Sequence, residues 1–302
     1  MEESSDKGRK PTTGSNMFTA RFEPRPATGV LRVSQGTRVQ TWRDLSDAVC
    51  AYGHAGPGWW AMELPRFGTF LLERAAPDTI RIFAEPGASR DRLEDLYRRS
   101  VVPVFLQALG HETLHASAVT AAGGVLAFCG ERGAGKSTIA YALARRGFAQ
   151  HADDTLVLTV ARDSVTTQPL PFAPRLRPPS AAFFNADPRG GSAAKTSAAA
   201  GRLSALFILQ RAAAPSTLDV AKLPASQAFQ AMLAHAHCFE PDNPLVRQRL
   251  LKNYLDISAR IPVFRVTYTP GLDRLDALLD EMTEAAGLAR GASAVTGTAV
   301  AV

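Results

Sequence analysis

Residues 124–147 commit the chain to a strand, a tight glycine turn and a helix in immediate succession. Gly124-Val125-Leu126-Ala127-Phe128-Cys129 is an unbroken apolar run, the pattern of a strand buried on both faces. Gly130-Glu131-Arg132-Gly133-Ala134-Gly135-Lys136-Ser137 then matches G-x-x-x-x-G-K-[ST], the Walker A pattern. Thr138 to Arg146 is rich in helix formers, and Gly147 supplies a C-cap. Glycines let such a loop curl with its N–H groups inward, and the helix brings its positive dipole end to the same point. The pattern therefore predicts a triphosphate site over Gly130 to Thr138. Lys136 is expected to reach the β- and γ-phosphates, and the Ser137 hydroxyl to ligate Mg²⁺.

The rest of the chain sets limits on that reading. At 302 residues there is room for one large domain or two smaller ones. Hydrophobic residues make up 46% and charged residues 21%, the balance of a globular chain. No apolar run approaches the ~20 residues of a bilayer span. Met1 to Lys7 lacks the apolar core of a secretory signal. Cys50, Cys129 and Cys238 are widely spaced and odd in number, which argues against a disulfide framework or a zinc knuckle. The expectation is a cytoplasmic protein without a membrane partner. Net charge is +6, but the densest basic stretch, Arg90, Arg92, Arg98 and Arg99, is interleaved with Asp91, Glu94 and Asp95. Mixed signs at helical spacing read as a solvated face, so nucleic acid is not the expected partner.

Composition divides the chain into four parts. Residues 1–16 are polar and read as a disordered tail. Residues 17–110 read as a small α+β unit. Strands are expected at Phe18–Phe22, Val30–Val33, Gly68–Leu72 and Thr79–Phe83, with a short helix over Trp42–Ala51. Arg90 to Ala108 is amphipathic, with Leu93, Leu96, Tyr97, Val101, Val104 and Phe105 on one face and a kink or break at Pro103. Residues 111–286 read as an α/β unit around the glycine loop. Strands are expected at 114–120, 155–160, 203–210 and 261–268, and helices at 227–239, 245–259 and 272–286. Residues 186–202, rich in Gly, Ser and Ala, read as a mobile loop of the kind that serves as a lid. Residues 287–302 read as a second disordered tail.

A glycine loop does not say what happens to the phosphate. Asp153-Asp154, just before Thr155-Leu156-Val157-Leu158, adds to it. An ordinary P-loop ATPase holds its metal through an Asp that closes an apolar strand. Phe148-Ala149-Gln150-His151-Ala152 is a poor buried strand, so this pair is expected to lead into a strand instead. Two adjacent carboxylates near such a loop can divide the work, one on Mg²⁺ and one taking a proton from an acceptor hydroxyl. A solvated turn is the plainer alternative.

Leu114-His115-Ala116-Ser117-Ala118-Val119, Gly130 to Ser137 and Ala152-Asp153-Asp154 together resemble the catalytic core of the bacterial HPr serine kinase family. The spacing agrees too, with His115 lying 15 positions before Gly130 and Asp153 lying 23 after it. The form Leu-His-Ala-Ser-Ala-Val, behind an unrelated-looking N-terminal unit, is more similar to the HPr-kinase-related proteins. Some of these sit in peptide-modification systems, lasso-peptide pathways included, and phosphorylate a precursor peptide. The resemblance implies a phosphoenolpyruvate-carboxykinase-like P-loop kinase domain, with ATP and Mg²⁺ as cofactors. It implies Asp153 as general base, His115 beside it, Ser137 and Asp154 on the metal, and a peptide or small protein as serine phosphoacceptor. A homo-oligomer is a further implication, since the parent family forms hexamers. The bifunctional members' Glu-Ile-Arg-Gly signature has no counterpart, and no Glu occurs between Glu131 and Glu240. Phosphorylase activity, and HPr itself as acceptor, are therefore not expected. Arg175, Arg177 and Lys195 are candidate clamps on phosphate or acceptor, each equally readable as a surface cation.

Two other readings compete. His111-Glu112-Thr113-Leu114-His115 spells H-E-x-x-H, which on a helix would bind Zn²⁺ with Glu112 as base. Gly110 and the run that follows argue against a helix there, and place His111 and Glu112 in a loop. The other alternative keeps the nucleotide but not the chemistry: an ATP-binding regulatory module, or a P-loop ATPase coupled to a partner.

Overall fold

The computed structural model describes residues 18–24, 32–44, 46–170, 175–188, 196–197, 199–213 and 217–288. The expected tail at 1–16, residues 289–302 of the tail expected at 287–302, and residues 189–195 (with Lys195) and 198 of the loop expected at 186–202 lie outside the described residues. The fold is mixed α/β, with an N-terminal sheet and a second, larger one.

The N-terminal sheet contains β1 (Thr19–Glu23), β2 (Thr37–Arg43), β3 (Val49–Gly56), β4 (Trp59–Leu64), β5 (Gly68–Glu73) and β6 (Ala76–Ala84). Its order is β1-β6-β5-β4-β3-β2. Only β1 pairs in parallel, with β6. The helix expected over Trp42–Ala51 is instead the β2–β3 hairpin. Asp44 makes the reversal: its Oδ1 accepts from the Ser46 and Ala48 amides, and Asp47 takes the left-handed conformation at φ 64°. An Asx turn thus takes the backbone donors that a helix would have used. Arg32–Gln35 is a 3-10 turn where Val30–Val33 reads as a strand.

One face of this sheet is covered by α1 (Arg90–Leu96), a π-helical turn (Tyr97–Val101) and α2 (Val102–Ala108), which run on without a break. The six apolar residues singled out by spacing are all buried. Pro103 does not stop the helix. The turn before it widens, so that the Val102 N–H reaches Tyr97 O, and Pro103 falls in the first turn of α2, where no donor is needed.

The larger sheet contains β7 (Glu112–Leu114), β8 (Ala116–Ala121), β9 (Gly124–Gly130), β10 (Ala149–Ala152), β11 (Leu156–Val160), β12 (Val165–Gln168), β13 (Gly201–Arg211), β14 (Leu218–Lys222) and β15 (Val263–Tyr268). The main path runs β10-β8-β9-β13-β12-β11-β7, and β15 joins β13 to β14. Strands β9, β13 and β15 are parallel, while β8 is antiparallel to β9 and β10 antiparallel to β8. Helices α3 (Lys136–Arg145), α4 (Pro178–Phe184), α5 (Ala225–Leu233), α6 (Pro244–Arg260) and α7 (Leu275–Ala285) complete the unit. The apolar run of β9 is explained by cover on both faces. Leu126 and Phe128 join Ile139, Leu143 and Leu279 on one side, and Val125, Ala127 and Cys129 join Met232, Tyr254 and Ile257 on the other. Among the described residues no helix is long and apolar enough to cross a membrane.

Two further expectations change. The strand at 114–120 is two strands: β7 pairs with β11 and β8 with β9, so His115 stands where the chain changes partners. The helix expected over 227–239 ends at Leu233, and the chain then crosses β7 in extended form. The His115 N–H donates to His235 O at 2.8 Å and the His237 N–H to Thr113 O at 3.0 Å. Beyond the crossing, Phe239 enters a core shared by both sheets, against Trp42 and Phe105.

Strand β10 is also better formed than its sequence suggests. Gln150, His151 and Ala152 are buried, and the His151 ring is held by the Thr120 hydroxyl at Nδ1 (3.1 Å) and the Thr167 hydroxyl at Nε2 (2.6 Å). Burial pushes the His151 pKa down from 6.5 to about 4. The unfolded chain therefore binds a proton here below pH 6.5 that the folded one refuses until about pH 4. Folding stability should fall by about 3 kcal/mol across that window. Urea titrations from pH 7 to 4 check this against His151→Asn, in which that part of the slope should vanish.

Candidate active site

The glycine loop leaves β9 and becomes the N-terminus of α3. Gly133 and Gly135 take φ values of 93° and 94°, which only glycine adopts without strain. Space is also tight: a methyl group on Gly135 would stand 2.7 Å from the Tyr268 hydroxyl, while one on Gly133 would stand 3.0 Å from Arg177 Nη2, a flexible end that can yield. Gly135 is the N-cap of α3 and offers no side-chain acceptor, so the first-turn amides of Lys136, Ser137 and Thr138 face the loop. The Lys136 side chain is buried, with Nζ donating to Gly130 O at 2.7 Å and to Glu131 O at 3.3 Å. Burial lowers the Lys136 pKa, against the pull of Asp153 and Asp154. Glu131 and Arg132 are exposed at the loop's tip. The Thr138 hydroxyl meets Ser180 Oγ on α4 at 3.0 Å.

Asp153 follows β10 directly, so it closes a buried strand after all. Its side chain is 1% exposed. Oδ1 accepts from Ser137 Oγ at 2.7 Å and from Ser117 Oγ at 2.8 Å, and Oδ2 accepts from the Arg175 N–H at 3.0 Å. Burial raises the Asp153 pKa, and these three donors hold the rise back. Asp154 sits in the left-handed region at φ 67° and turns outward. Its carboxylate pairs with Arg99 from the π turn, and its carbonyl oxygen lies 3.0 Å from His115 Nδ1. His115 is held below its ordinary pKa by burial first and by the Lys136 charge second.

All the residues singled out between His115 and Asp154 thus converge on one place. It is Asp153, not Asp154, that touches Ser137. Arg177 hangs over Gly133, and Arg175 reaches Asp95 at 2.8 Å. The basic stretch along α1 and the π turn is not wholly a solvated face: the Arg99 side chain is only 18% exposed and joins Asp95 to Asp154. Nothing in the i, i+4 charge pattern distinguishes it from Arg98. Ser117 carries no local signal of its own: it lies in β8, beyond the change of partners at His115, and Ala116 to Val119 are all buried alike. His235 came in from the far side of the fold, with burial, Lys136 and His115 all lowering its pKa.

The H-E-x-x-H motif does not form a metal site. Glu112 is neither helical nor in a loop but lies in β7, buried, accepting from Asn253 Nδ2 at 2.8 Å with Arg249 at 3.6 Å. Among the described residues no group of three or more His, Cys, Asp or Glu is arranged to hold a metal.

A family model described as SynChlorMet cassette protein ScmC matches residues 96–270. No curated protein matches the sequence. Among solved structures, the Hpr(Ser) kinase/phosphatase from Coxiella burnetii is distantly similar, at 12% identity and a TM-score of 0.32, over 57% of this chain and 91% of that one.

Proposed function

Since the chain belongs to the SynChlorMet cassette protein ScmC family, matched over more than half its length, the function is sought in the site, and we propose an ATP- and Mg²⁺-dependent serine kinase acting on a peptide or small protein. The carrying observation is the buried Asp153 carboxylate, 2.7 Å from Ser137 Oγ at the head of the glycine loop, with a second carboxylate beside it. An ordinary P-loop ATPase also sets one Asp beside the loop serine, for its metal; the second, adjacent carboxylate supports a phosphotransferase, since it leaves one of the pair to take the acceptor proton. The peptide acceptor rests on the resemblance carried by Leu114 to Val119. So does the phosphoenolpyruvate-carboxykinase-like fold.

The donor set suits Mg²⁺. A hydroxyl and two carboxylates are hard oxygen ligands, and Mg²⁺ is commonly held by one or two carboxylates plus the phosphates themselves, without a full protein cage. Ser137 with Asp154 would hold it, and the ion would neutralise charge on the β- and γ-phosphates. Lys136 and the α3 amides bind the phosphates, and Arg177 adds a second cation over Gly133. Asp153 accepts the proton of the acceptor serine. Its burial favours that task, because desolvation makes the carboxylate a stronger base. Arg99 and His115 fix Asp154. The direct Ser137–Asp153 contact supports a second division of labour, with Asp153 on the metal and Asp154 as base.

The test is transfer of label from γ-labelled ATP with Mg²⁺ to a cognate extract and to small peptides encoded beside the gene. A labelled acceptor supports the kinase. Labelled inorganic phosphate without a labelled acceptor supports a partner-coupled ATPase, and ATP binding with neither product supports a regulatory module.

A further inference from the structure

The acid pair and the metal-side hydroxyl occupy one flank of the loop, where β8 and β10 lie beyond β9. On the opposite flank, β13 and β15 run parallel to β9 and end near the same level. A cavity of about 350 Å³ opens there, between the end of β15, the start of β14 and the first turns of α7. That is within the range of small-ligand sites, roughly 300–1,000 Å³. Leu218, Tyr268, Ala277 and Leu278 give it apolar walls, and Asp273 and Arg274 stand at its rim. Leu218 is 39% exposed, unusual for a leucine in a strand with one packed face. The cavity shares a wall with the loop: the Tyr268 ring lines it, while the Tyr268 hydroxyl donates to Ala134 O.

We infer that this cavity receives the nucleoside end of the triphosphate bound at the loop. The inference rests on the nucleotide reading above. Phosphates pinned by Lys136 and the α3 amides, with the transferred end toward Asp153, leave the rest of the molecule to run toward the other flank. Apolar walls accept the faces of a flat base, and the Asp273 carboxylate accepts hydrogen bonds from sugar hydroxyls or a ring amine.

Titration calorimetry with Mg²⁺ compares ATP with inorganic tripolyphosphate, which has the charges but no nucleoside. Wild type should bind ATP at least about tenfold more tightly. Ala277→Trp and Leu218→Trp fill the cavity from opposite walls, both at positions open to solvent. Each should lose that margin while holding tripolyphosphate within about twofold of wild type. Trp variants that bind ATP as wild type does would overturn the inference. Equal affinity of wild type for the two ligands would do the same, as would a parallel loss of both ligands in both variants. A wild type that binds neither ligand refutes the nucleotide reading itself, an outcome separate from failure of the cavity alone.

Discussion

Asp153→Asn should abolish phosphoryl transfer while leaving ATP affinity within about twofold of wild type. The substitution keeps shape, removes the charge and the basic site, and replaces the Oδ2 acceptor of the Arg175 N–H by an amide donor. Its remaining oxygen can still accept from Ser117 and Ser137, so the loop should keep its form. Loss of a general base alone costs about 10²–10⁴ in rate. The pH profile gives an independent reading. The base acts only when ionised, and burial raises the Asp153 pKa. Activity should therefore fall on the acid side at a pH above the ordinary carboxylate range. Single-turnover transfer and ATP titration on the same preparation measure both quantities. A large drop in ATP affinity, recovered by raising Mg²⁺, would assign Asp153 to the metal and hand the base to Asp154. Asp154→Asn, run in parallel, should then show the profile expected here of Asp153→Asn.

That ambiguity between neighbouring carboxylates marks how far the sequence could be read. The strand, loop and helix of residues 124–147 were legible because buried strands, glycine turns and helix formers each leave a local signal. The approach of His115 to the acid pair was visible only as spacing within a resemblance, which put it beside Asp153 where its ring in fact meets Asp154, and the Ser117–Asp153 bond left no signal. Which carboxylate faces Ser137 depends on the β10–β11 turn, where Asp154 adopts a left-handed conformation that asparagine and aspartate tolerate but no pattern announces. Strand β10 was illegible for a similar reason. Gln150 and His151 look like surface residues, and only the hydroxyls of Thr120 and Thr167, from two other strands, make burial of His151 possible. Arg99 was hidden by its own neighbours, since an i, i+4 partner at Asp95 satisfies the local pattern. It stands in the π turn before Pro103 and pairs with Asp154. The Trp42–Ala51 hairpin failed because propensity was weighed over a window that the Asp44 side chain cuts in two. Each of these misses is a case of tertiary partners, or a single turn, overriding local preference.

Lys136→Ala should weaken both ATP binding and transfer, transfer the more. Among the described residues the ammonium is the cation enclosed by the loop itself, donating to Gly130 O and Glu131 O at its base. A charge-assisted bond to phosphate is worth about 1.5–3 kcal/mol, so affinity should fall about 10- to 100-fold. As the bond to the leaving group breaks, charge builds on the oxygen between the β- and γ-phosphates, so the rate with bound ATP should fall a further ~10²–10³-fold. The fold should not suffer in proportion. Burial already lowers the Lys136 pKa, which means the enclosed charge is held at a cost, and removing it relieves that cost even as two carbonyl oxygens lose a donor. Thermal stability should consequently change far less than binding does. Lys136→Arg should restore little, because a planar guanidinium cannot occupy the space between Gly130 O and the helix start that a single ammonium fills. Unchanged ATP affinity in Lys136→Ala would refute the triphosphate site at this loop, since its ammonium is the cation that the loop itself encloses.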